Sequence, residues 1–337
     1  MLVVLWRKGG IIMDSVYTAQ RLFDEFMAEK RALGFKYKTG EGTIRRFIRE
    51  FENPEDGNIE FTKEYVLGHS CRKLNQGNNT VLRDAASINR FLDFVIRKGF
   101  KAYKIPPKSL PKETRIFVAQ IFTGAEIERI LTAADTVLFA EQNPNRQHQI
   151  PVMFRILFNC GLRSGELLNL KASDIDLQEN ILTVRDTKFQ KSRLVPFSDA
   201  VADALNKYFA ASSPFNDEDY LFPSPRKEKY SHSGIHAHFH LLLRLAQIPY
   251  GGRGNGPRLH DIRHTFAVHC LNRWVLNGAD LTAALPVLSR YLGHESIKGT
   301  QKYLQLTAQM YPDIVSKLEK EFGHLIPSME VIEDEAV

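Results

Sequence analysis

The sequence predicts a mainly α-helical chain with a small β-hairpin, divided into a four-helix N-terminal part and a mixed α/β second part. Three observations support this fold class. Apolar residues recur at helical spacing in most segments, a basic segment with three prolines interrupts the chain after residue 100, and one later segment alternates apolar and polar residues around a polar turn. The chain has 337 residues, 43% of them hydrophobic, which is enough for two packed domains.

Four amphipathic helices are predicted within residues 14–100. The first places Val16, Leu22 and Phe26 near helical spacing, and Gly34 offers a position where the helix can end. Gly, Asn or Pro residues separate the helices from one another. The other three helices are expected in GEGTIRRFIREFE, FTKEYVLGHSCRKL and NTVLRDAASINRFLDFVIRKGF.

A second domain is predicted to follow a basic, proline-containing linker at residues 101–117. Its first helix has Thr123 at the N-cap and Glu126 three positions later, which is the capping-box pattern. The segment ENILTVRDTKFQKSRLVPFS is expected to form a β-hairpin, and helices resume after it. This domain is assigned to residues 118–325, and residues 326–337 form an acidic tail.

The charge and the cysteines limit the class of protein. Lys and Arg number 45 against 39 Asp and Glu, and residues 1–117 carry 22 of these cations against 14 acids, which suggests a polyanionic partner such as nucleic acid. Three widely spaced cysteines indicate neither a disulfide framework nor a thiolate metal site, so a reducing cytoplasm is expected.

The opening MLVVLWRKGGIIM resembles neither a signal peptide nor a membrane span. Met13 could equally be the biological start, in which case residues 1–12 would not belong to the native protein.

Tyr303 is the residue whose role decides the chemistry. Taken alone, a tyrosine in GHESIKGTQKYLQL most often packs its ring in a core. A phenol, with a reference pKa of about 10, attacks a phosphodiester only if cations favour its ionised form. The phosphate oxygens then need arginines, and the leaving sugar oxygen needs a proton from lysine or histidine.

Two segments offer the arginines. Arg163 begins a helix in FNCGLRSGELLNL, where the alternative is a surface pair with Glu166. In RLHDIRHTFAVHCL, His260 and Arg263 are three residues apart and share a helical face. The nearby His264 and His269 are interpreted as helix-packing groups and not as catalysts, because their offsets from His260 and Arg263 are expected to direct them elsewhere.

One histidine cluster could suggest a metal. His232, His236 and His240 in SHSGIHAHFH are four residues apart and would line one helical face. Because no cysteine or fourth ligand lies near them, a polar helix beside DNA is the preferred interpretation, and no metal site is predicted.

Four motifs together carry a resemblance to a known family. GLRSGEL, TKFQKSRLVPF, LHDIRHTFAVH and YLGHESIKGTQKY, in this order and spacing, are similar to the tyrosine recombinase (phage integrase) family over residues 118–325. The resemblance implies a catalytic domain there and a helical, SAM-like core-binding domain in residues 14–100. It implies a site-specific recombinase that cleaves and rejoins double-stranded DNA through a 3′-phosphotyrosyl intermediate, without a cofactor.

The same resemblance implies a role for each residue of the motifs. Arg163 and Arg263 would clamp the scissile phosphate, and Tyr303 would attack it. His260 and His294 would transfer protons and bind phosphate. In the hairpin turn, Lys188 would be the general acid, although Phe189 stands where the family often has glycine, so Lys191 stays an alternative. Glu166 would orient its neighbours.

The resemblance also implies how DNA and other copies of the chain are held. Two domains would close around the duplex. An apolar face on residues 312–326, formed by Ile314, Leu318, Phe322 and Leu325, would dock on a neighbouring copy in a tetramer, and packing on its own domain is the alternative. Accessory or sister recombinases are further expected partners. A mobile genetic element is the expected source. Two alternatives remain, a catalytically silent DNA-binding regulator and an enzyme like type IB topoisomerases. Candidate DNA contacts are Lys36, Lys38, Arg45, Arg46, Arg83 and Arg90.

Overall fold

The protein is described here from a computed structural model, whose described residues are 17–35, 37–70, 76–113, 119–185, 192–212, 215–252, 255–294, 300, 302–304 and 306–307. In this part of the chain helices predominate and two small sheets are present, so the predicted fold class is confirmed. The chain divides into two compact units, Met1–Ile116 and Phe117–Val337. None of the helices in the described ranges has the length and apolar character needed to cross a bilayer.

The first unit contains the four helices that the apolar spacing predicts. Their apolar faces meet in one core that includes Leu22, Phe26, Ile44, Phe91 and Val95. Two short strands lie beside the helices and pair in parallel. The elements are α1 (Ala19–Ala32), α2 (Lys38–Ile48), β1 (Glu60–Phe61), α3 (Lys63–Ser70), α4 (Asn78–Arg97) and β2 (Lys101–Ala102).

Helix α1 is shorter than its apolar pattern suggests, and both of its ends have a local cause. The hydroxyl of Thr18 accepts a hydrogen bond from the backbone N–H of Arg21, so the helix begins after Thr18. At the other end Gly34 has φ +82°, a left-handed conformation that favours glycine and stops the helix.

Residues 101–113, interpreted from the sequence as part of a linker, are attached to the first unit. Strand β2 pairs with β1, and the side chain of Ile105 is buried in the core of this unit. The Asn89 side chain also bonds to the backbone N–H and C=O of Ile105, at 2.9 and 3.0 Å. The prolines therefore interrupt helices here without freeing the chain, because buried apolar side chains and backbone bonds hold it.

The second unit combines helices with a three-stranded antiparallel sheet, and helix α6 packs against α5, α8 and α10. Helix α5 begins with the predicted capping box, in which Thr123 and Glu126 bond to each other's backbone. The elements are α5 (Gly124–Asp135), α6 (Arg146–Cys160), α7 (Ser164–Leu167), β3 (Ile175–Asp176), β4 (Ile181–Arg185), β5 (Ser192–Pro196), α8 (Asp199–Ala211), α9 (His232–Leu245), α10 (Asp261–Leu276) and α11 (Leu281–Leu292).

The predicted hairpin is formed by β4 and β5, and β3 adds a third strand that the sequence did not indicate. Leu182 pairs with Val195, and both side chains are buried against the helices. Leu194, next to Val195, points to the opposite face and is exposed, as the two-residue period of a strand requires. Residues 186–191, which include Lys188 and Lys191, lie outside the described residues.

A second apolar cluster of this unit positions Tyr303. Residues 302–304 are helical, and Tyr303 and Leu304 pack against α10 and α11 through side chains that include Leu271, Leu285 and Leu292. Gly293, with φ +66°, ends α11 and turns the chain toward His294. The ends of α6, α10 and α11 thus meet close to Tyr303.

Candidate active site

One carboxylate, that of Glu166, lies among three arginine side chains. Its oxygens accept hydrogen bonds from Nη1 of Arg163 at 2.7 Å and from Nη1 and Nη2 of Arg193 at 3.1 and 2.8 Å. The backbone N–H of Arg163 also donates to it, at 2.9 Å. Nη1 of Arg263 lies 3.7 Å away. Without a negative charge between them, the three guanidiniums would repel one another, and the Glu166 carboxylate offsets this repulsion.

The two arginines expected to clamp a phosphate differ in exposure. The Arg163 side chain is 42% exposed, and its Nη2 donates to the Gly293 carbonyl at 3.0 Å. Arg263 is only 1% exposed, and it donates to the carbonyls of Gly161, at 3.0 Å, and Leu292. Arg263 therefore joins the ends of α6 and α11, while Arg163 can still reach solvent.

The phenol of Tyr303 is completely enclosed. Its exposed fraction is 0%, and its hydroxyl lies 3.2 Å from Nδ1 of His264. Burial raises the pKa of Tyr303, and the nearby charges of Arg263 and Arg163 oppose the increase. The phenol is therefore protonated at neutral pH.

His264 corrects one interpretation made from the sequence. It does pack on its helix, with 4% exposure, but its ring points toward Tyr303, and the ring centroids are 5.5 Å apart. The expectation that its offset would direct it elsewhere was wrong, because His260 and His264 are four residues apart and so share a helical face. His260 is exposed, and its ring meets that of His264 edge to face at 4.7 Å.

His294 lies on the other side of the tyrosine. Its ring is nearly parallel to the Tyr303 ring, with centroids 6.0 Å apart, and its Nδ1 is 2.8 Å from the hydroxyl oxygen of Thr300. Burial and the charges of Arg263 and Arg163 lower the pKa of His294 to about 4, so its imidazole is neutral at neutral pH. His260 has an exposed edge, but its ring packs against His264, and this partial desolvation, followed by the charge of Arg263, lowers its pKa as well.

Glu166 stays ionised despite its enclosure. Burial alone would raise its pKa, but the hydrogen bonds and charge of Arg193, with contributions from Arg163 and Arg263, lower it to about 2. The carboxylate therefore carries a full negative charge at any physiological pH. It is suited to hold arginines in place and unsuited to donate a proton.

The predicted site residues divide into three groups. Arg163, Glu166, Arg263, His294 and Tyr303 lie together, with His260 at the exposed edge of the same group. Lys188 and its alternative Lys191 lie outside the described residues, as does Lys36. The remaining candidate DNA contacts are all exposed on the first unit: Lys38, Arg45, Arg46, Arg83 and Arg90.

Arg193 is the residue of this cluster that the sequence interpretation missed. The sequence did contain a sign of its position. Arg193 is two residues before Val195, which is buried on β5, and residues two apart on a strand point to the same face. A charged residue at an inward position of a strand requires a partner, and Glu166 provides it. His264 was missed for the reason given above.

The described residues hold no clear metal site. His232, His236 and His240 are exposed on α9, as the sequence predicts. Among the described residues, no group of three or more His, Cys, Asp and Glu side chains is arranged to hold a metal ion.

Sequence comparison finds related proteins over most of the chain. The sequence model described as the phage integrase family matches residues 120–310. A protein of Sinorhizobium fredii with the provisional name integrase/recombinase y4rB is 30% identical over 317 residues, which are 90% of this chain and 98% of that protein. Tyrosine recombinase XerA of Thermococcus onnurineus is 30% identical over 205 residues, covering 60% of this chain and 61% of the relative.

Comparison with solved structures gives the same fold. The Tn1549 transposon integrase, determined in complex with circular intermediate DNA, superposes with a TM-score of 0.59 at 19% identity. The match covers 85% of this chain and 94% of that one. At this identity the likeness concerns the fold alone.

Proposed function

The chain belongs to the phage integrase family, and from this premise we propose that Tyr303 is the nucleophile with which it cleaves and rejoins DNA. It is a tyrosine recombinase, a DNA strand transferase. Attack by Tyr303 would form a 3′-phosphotyrosyl bond and release a 5′-hydroxyl, and a second 5′-hydroxyl would reverse the step. The bond energy is kept in the covalent intermediate, so the reaction needs no nucleotide.

The observation that carries this proposal is the position of the Tyr303 hydroxyl, which lies 3.2 Å from Nδ1 of His264 and within the electrostatic influence of Arg263 and Arg163. In a phosphodiester transfer, charge grows on the non-bridging oxygens, and two planar guanidiniums can donate paired hydrogen bonds to them. The Arg163 side chain is open enough to receive a phosphate. Glu166 would keep both guanidiniums aimed at the same position.

The remaining roles concern proton transfer. His294 and His260 are neutral at neutral pH in this conformation, so each can donate one hydrogen bond to a phosphate oxygen and accept another. The 5′-oxygen needs a proton as it leaves, and we assign that to Lys188, with Lys191 as the alternative. The enclosed Tyr303 ring must become accessible when DNA enters the site.

The proposal extends to partners and setting. Double-stranded DNA is the substrate, and the exposed cations Lys38, Arg45, Arg46, Arg83 and Arg90, together with Lys36, are proposed to contact its phosphates. Residues 312–326, which lie outside the described residues, would dock on a neighbouring copy in a tetramer, with accessory or sister recombinases as further partners. The domain assignment, 14–100 for core binding and 118–325 for catalysis, remains part of the proposal. So do a mobile-element origin and a cytoplasmic location.

The test is covalent trapping. Duplexes that bind the purified chain are selected from a random library and nicked at successive positions, so that cleavage releases a short fragment and traps the intermediate. Wild type is compared with Tyr303→Phe, and Tyr208→Phe serves as a control, because Tyr208 is another buried tyrosine whose hydroxyl bonds to the Leu221 carbonyl.

The expected result is a denaturant-resistant protein–DNA adduct with wild type and Tyr208→Phe and none with Tyr303→Phe. An adduct that persists in Tyr303→Phe would refute the assignment of the nucleophile. Tight binding without any adduct on all nicked duplexes would instead favour a DNA-binding regulator.

A further inference from the structure

A phenol that attacks phosphorus must lose its proton, and the environment of Tyr303 makes this difficult. Burial raises its pKa, so that the ionised form is rarer than in water. The proton therefore needs an acceptor that already touches the hydroxyl. General-base assistance of this kind contributes about 10²–10⁴-fold to the rate.

His264 is the group in position to be that acceptor. Within the described ranges, the Tyr303 hydroxyl lies 3.2 Å from Nδ1 of His264, and the charge of Arg263 acts on it. Arginine has only donors and keeps its charge, so Arg263 can support a phenolate but cannot take the proton. Nδ1 of His264 accepts the phenolic hydrogen when the imidazole carries its own proton on Nε2.

The other nearby basic groups are turned to different partners. Nδ1 of His294 bonds to Thr300, and the His294 ring stacks beside the phenol ring. The ammonium of Lys302 lies over the face of the Tyr303 ring, 5.3 Å from its centre. His260 meets His264 at its edge. These contacts leave the hydroxyl to His264.

The surroundings of His264 keep its imidazole unprotonated, which leaves a lone pair available but also makes the ring a weak base. Burial, followed by the positive groups that face it, lowers its pKa to about 3, so the imidazole is neutral and its lone pair is available. A phosphodiester brings a negative charge into this cationic site, which favours the imidazolium ion and raises the pKa of His264 when DNA is bound. The facing groups are Lys302, His260, Arg258, Arg263 and Tyr303.

We propose that His264 is a catalytic residue, the general base that removes the Tyr303 proton during DNA cleavage; this rests on the proposed function of Tyr303. As the phenol oxygen bonds to phosphorus, its hydrogen moves to Nδ1 of His264, the bond from phosphorus to the 5′-oxygen breaks, and the general acid protonates that oxygen. In rejoining, the imidazolium returns the proton to the departing phenolate. No oxidant or cofactor takes part.

The experiment compares two trapping substrates in single-turnover cleavage. They are identical except that one carries sulfur in place of the bridging 5′-oxygen, and a thiolate leaves without needing a proton. The main variant is His264→Asn, whose side-chain oxygen can accept the phenolic hydrogen bond but cannot take the proton. His264→Gln is the second variant, and His269→Asn removes a histidine from the same helix as a control. DNA binding and thermal unfolding of every variant are measured beside cleavage.

We expect His264→Asn to bind DNA normally and to cleave both substrates at least about 10²-fold more slowly than wild type. Its deficit should shrink as the pH rises from 7 to 9, because hydroxide then ionises the phenol. Lys188→Ala should be slow on the oxygen substrate only, and His269→Asn should cleave like wild type. A folded His264→Asn or His264→Gln protein that cleaves both substrates at the wild-type rate or faster would overturn the proposal, since His264 would then only hold the tyrosine in place.

A deficit confined to the oxygen substrate would also overturn it, because His264 would then act on the leaving group. Failure of the proposed function looks different. In that case either wild type forms no adduct or Tyr303→Phe forms one, and these results do not depend on the His264 variants.

Discussion

Two hydrogen bonds, of 2.8 and 3.1 Å, join the guanidinium of Arg193 to the carboxylate of Glu166. Nε of the same arginine donates to the carbonyl of Tyr291 at 2.7 Å. Arg193 thus connects strand β5 to the first turn of α7 and to the end of α11. Glu166 in turn bonds to Arg163, so a residue of the hairpin supports the proposed phosphate clamp.

This pair explains how three arginines can lie together in one site. Removing charges from water is costly unless an opposite charge and hydrogen bonds replace the solvent. Glu166 neutralises part of the cluster, and the backbone carbonyls of Gly161, Gly293 and Tyr291 accept further hydrogen bonds. The site remains net cationic, which suits a phosphodiester.

Replacing Arg193 should therefore affect both stability and cleavage. Breaking a buried ion pair by removing one partner costs about 3–5 kcal/mol, so Arg193→Ala should lower the free energy of unfolding by that order, measured in urea. The rate of adduct formation should fall as well. Glu166 would keep its hydrogen bond to Arg163 but lose the two from Arg193, so it would hold Arg163 less firmly in position.

A second arginine–carboxylate pair in the same unit is the control. Arg155 bonds to Asp135 through two 2.7 Å contacts, but this pair lies at the surface. Arg155→Ala should cost about 1 kcal/mol or less and should leave the cleavage rate unchanged. Equal losses of stability in the two variants would show that Arg193 and Glu166 contribute no more than a surface pair.

Acid should weaken the protein through Glu166. Its pKa is about 2 in the folded state, against the ordinary glutamate value of 4.5, so the folded form binds this proton less readily than the unfolded form. The resulting stabilisation is complete above pH 5 and is lost as the pH falls from about 4.5 toward 2. The difference in unfolding free energy between wild type and Glu166→Gln should shrink by about 2 kcal/mol from pH 6 to pH 3. A difference that stays constant with pH would contradict the lowered pKa.

The sequence was informative where local patterns determine structure. The capping box of Thr123 and Glu126, the alternation around Leu182 and Val195, and the apolar faces of the first four helices all follow from neighbouring residues, and the structure contains each of them. The motifs also contain Arg163, Arg263, His294 and Tyr303, which the structure brings into one cluster.

What the sequence did not reveal depends on contacts between distant segments. The pairing of Arg193 with Glu166 joins residues 27 positions apart, and the contact of His264 with Tyr303 joins residues 39 positions apart. Neither partner can be read from periodicity alone. Residues 101–113 were assigned to a linker because prolines and cations suggested it, yet the burial of Ile105 is decided by the core it joins.

The two proposed clamp arginines should differ when each is replaced by alanine. Arg163 is partly exposed and bonds mainly to Glu166 and Gly293, so Arg163→Ala should change the free energy of unfolding by about 1 kcal/mol. Arg263→Ala removes a buried cation and leaves the carbonyls of Gly161 and Leu292 without their donor, so a loss of about 3 kcal/mol or more is expected.

Both arginine variants should lower the cleavage rate by about 10²-fold or more, because each removes a donor to the phosphate. Urea unfolding gives the free energy of unfolding of each variant, and single-turnover adduct formation on the same preparation gives its cleavage rate. Normal cleavage by a folded Arg163→Ala protein would remove Arg163 from the clamp.

Gly161 offers a test of how closely the fold positions Arg263. It ends α6 with φ +59°, and its carbonyl accepts the 3.0 Å hydrogen bond from Nη1 of Arg263. A Cβ atom at this position would lie 2.4 Å from the Phe266 ring, which stacks on Tyr291 and is therefore restricted in moving away. Gly34 also has a left-handed conformation, with φ +82°, but a Cβ there would meet nothing within 4 Å.

Alanine at Gly34 should therefore cost only the backbone strain, about 1 kcal/mol. Alanine at Gly161 carries the same strain, and the clash adds about 1–3 kcal/mol. Because the carbonyl must shift to relieve the clash, Gly161→Ala should also slow adduct formation, while Gly34→Ala should not. Equal unfolding free energies for the two variants, with equal cleavage, would mean that Phe266 yields easily and that the Gly161 carbonyl does not fix Arg263.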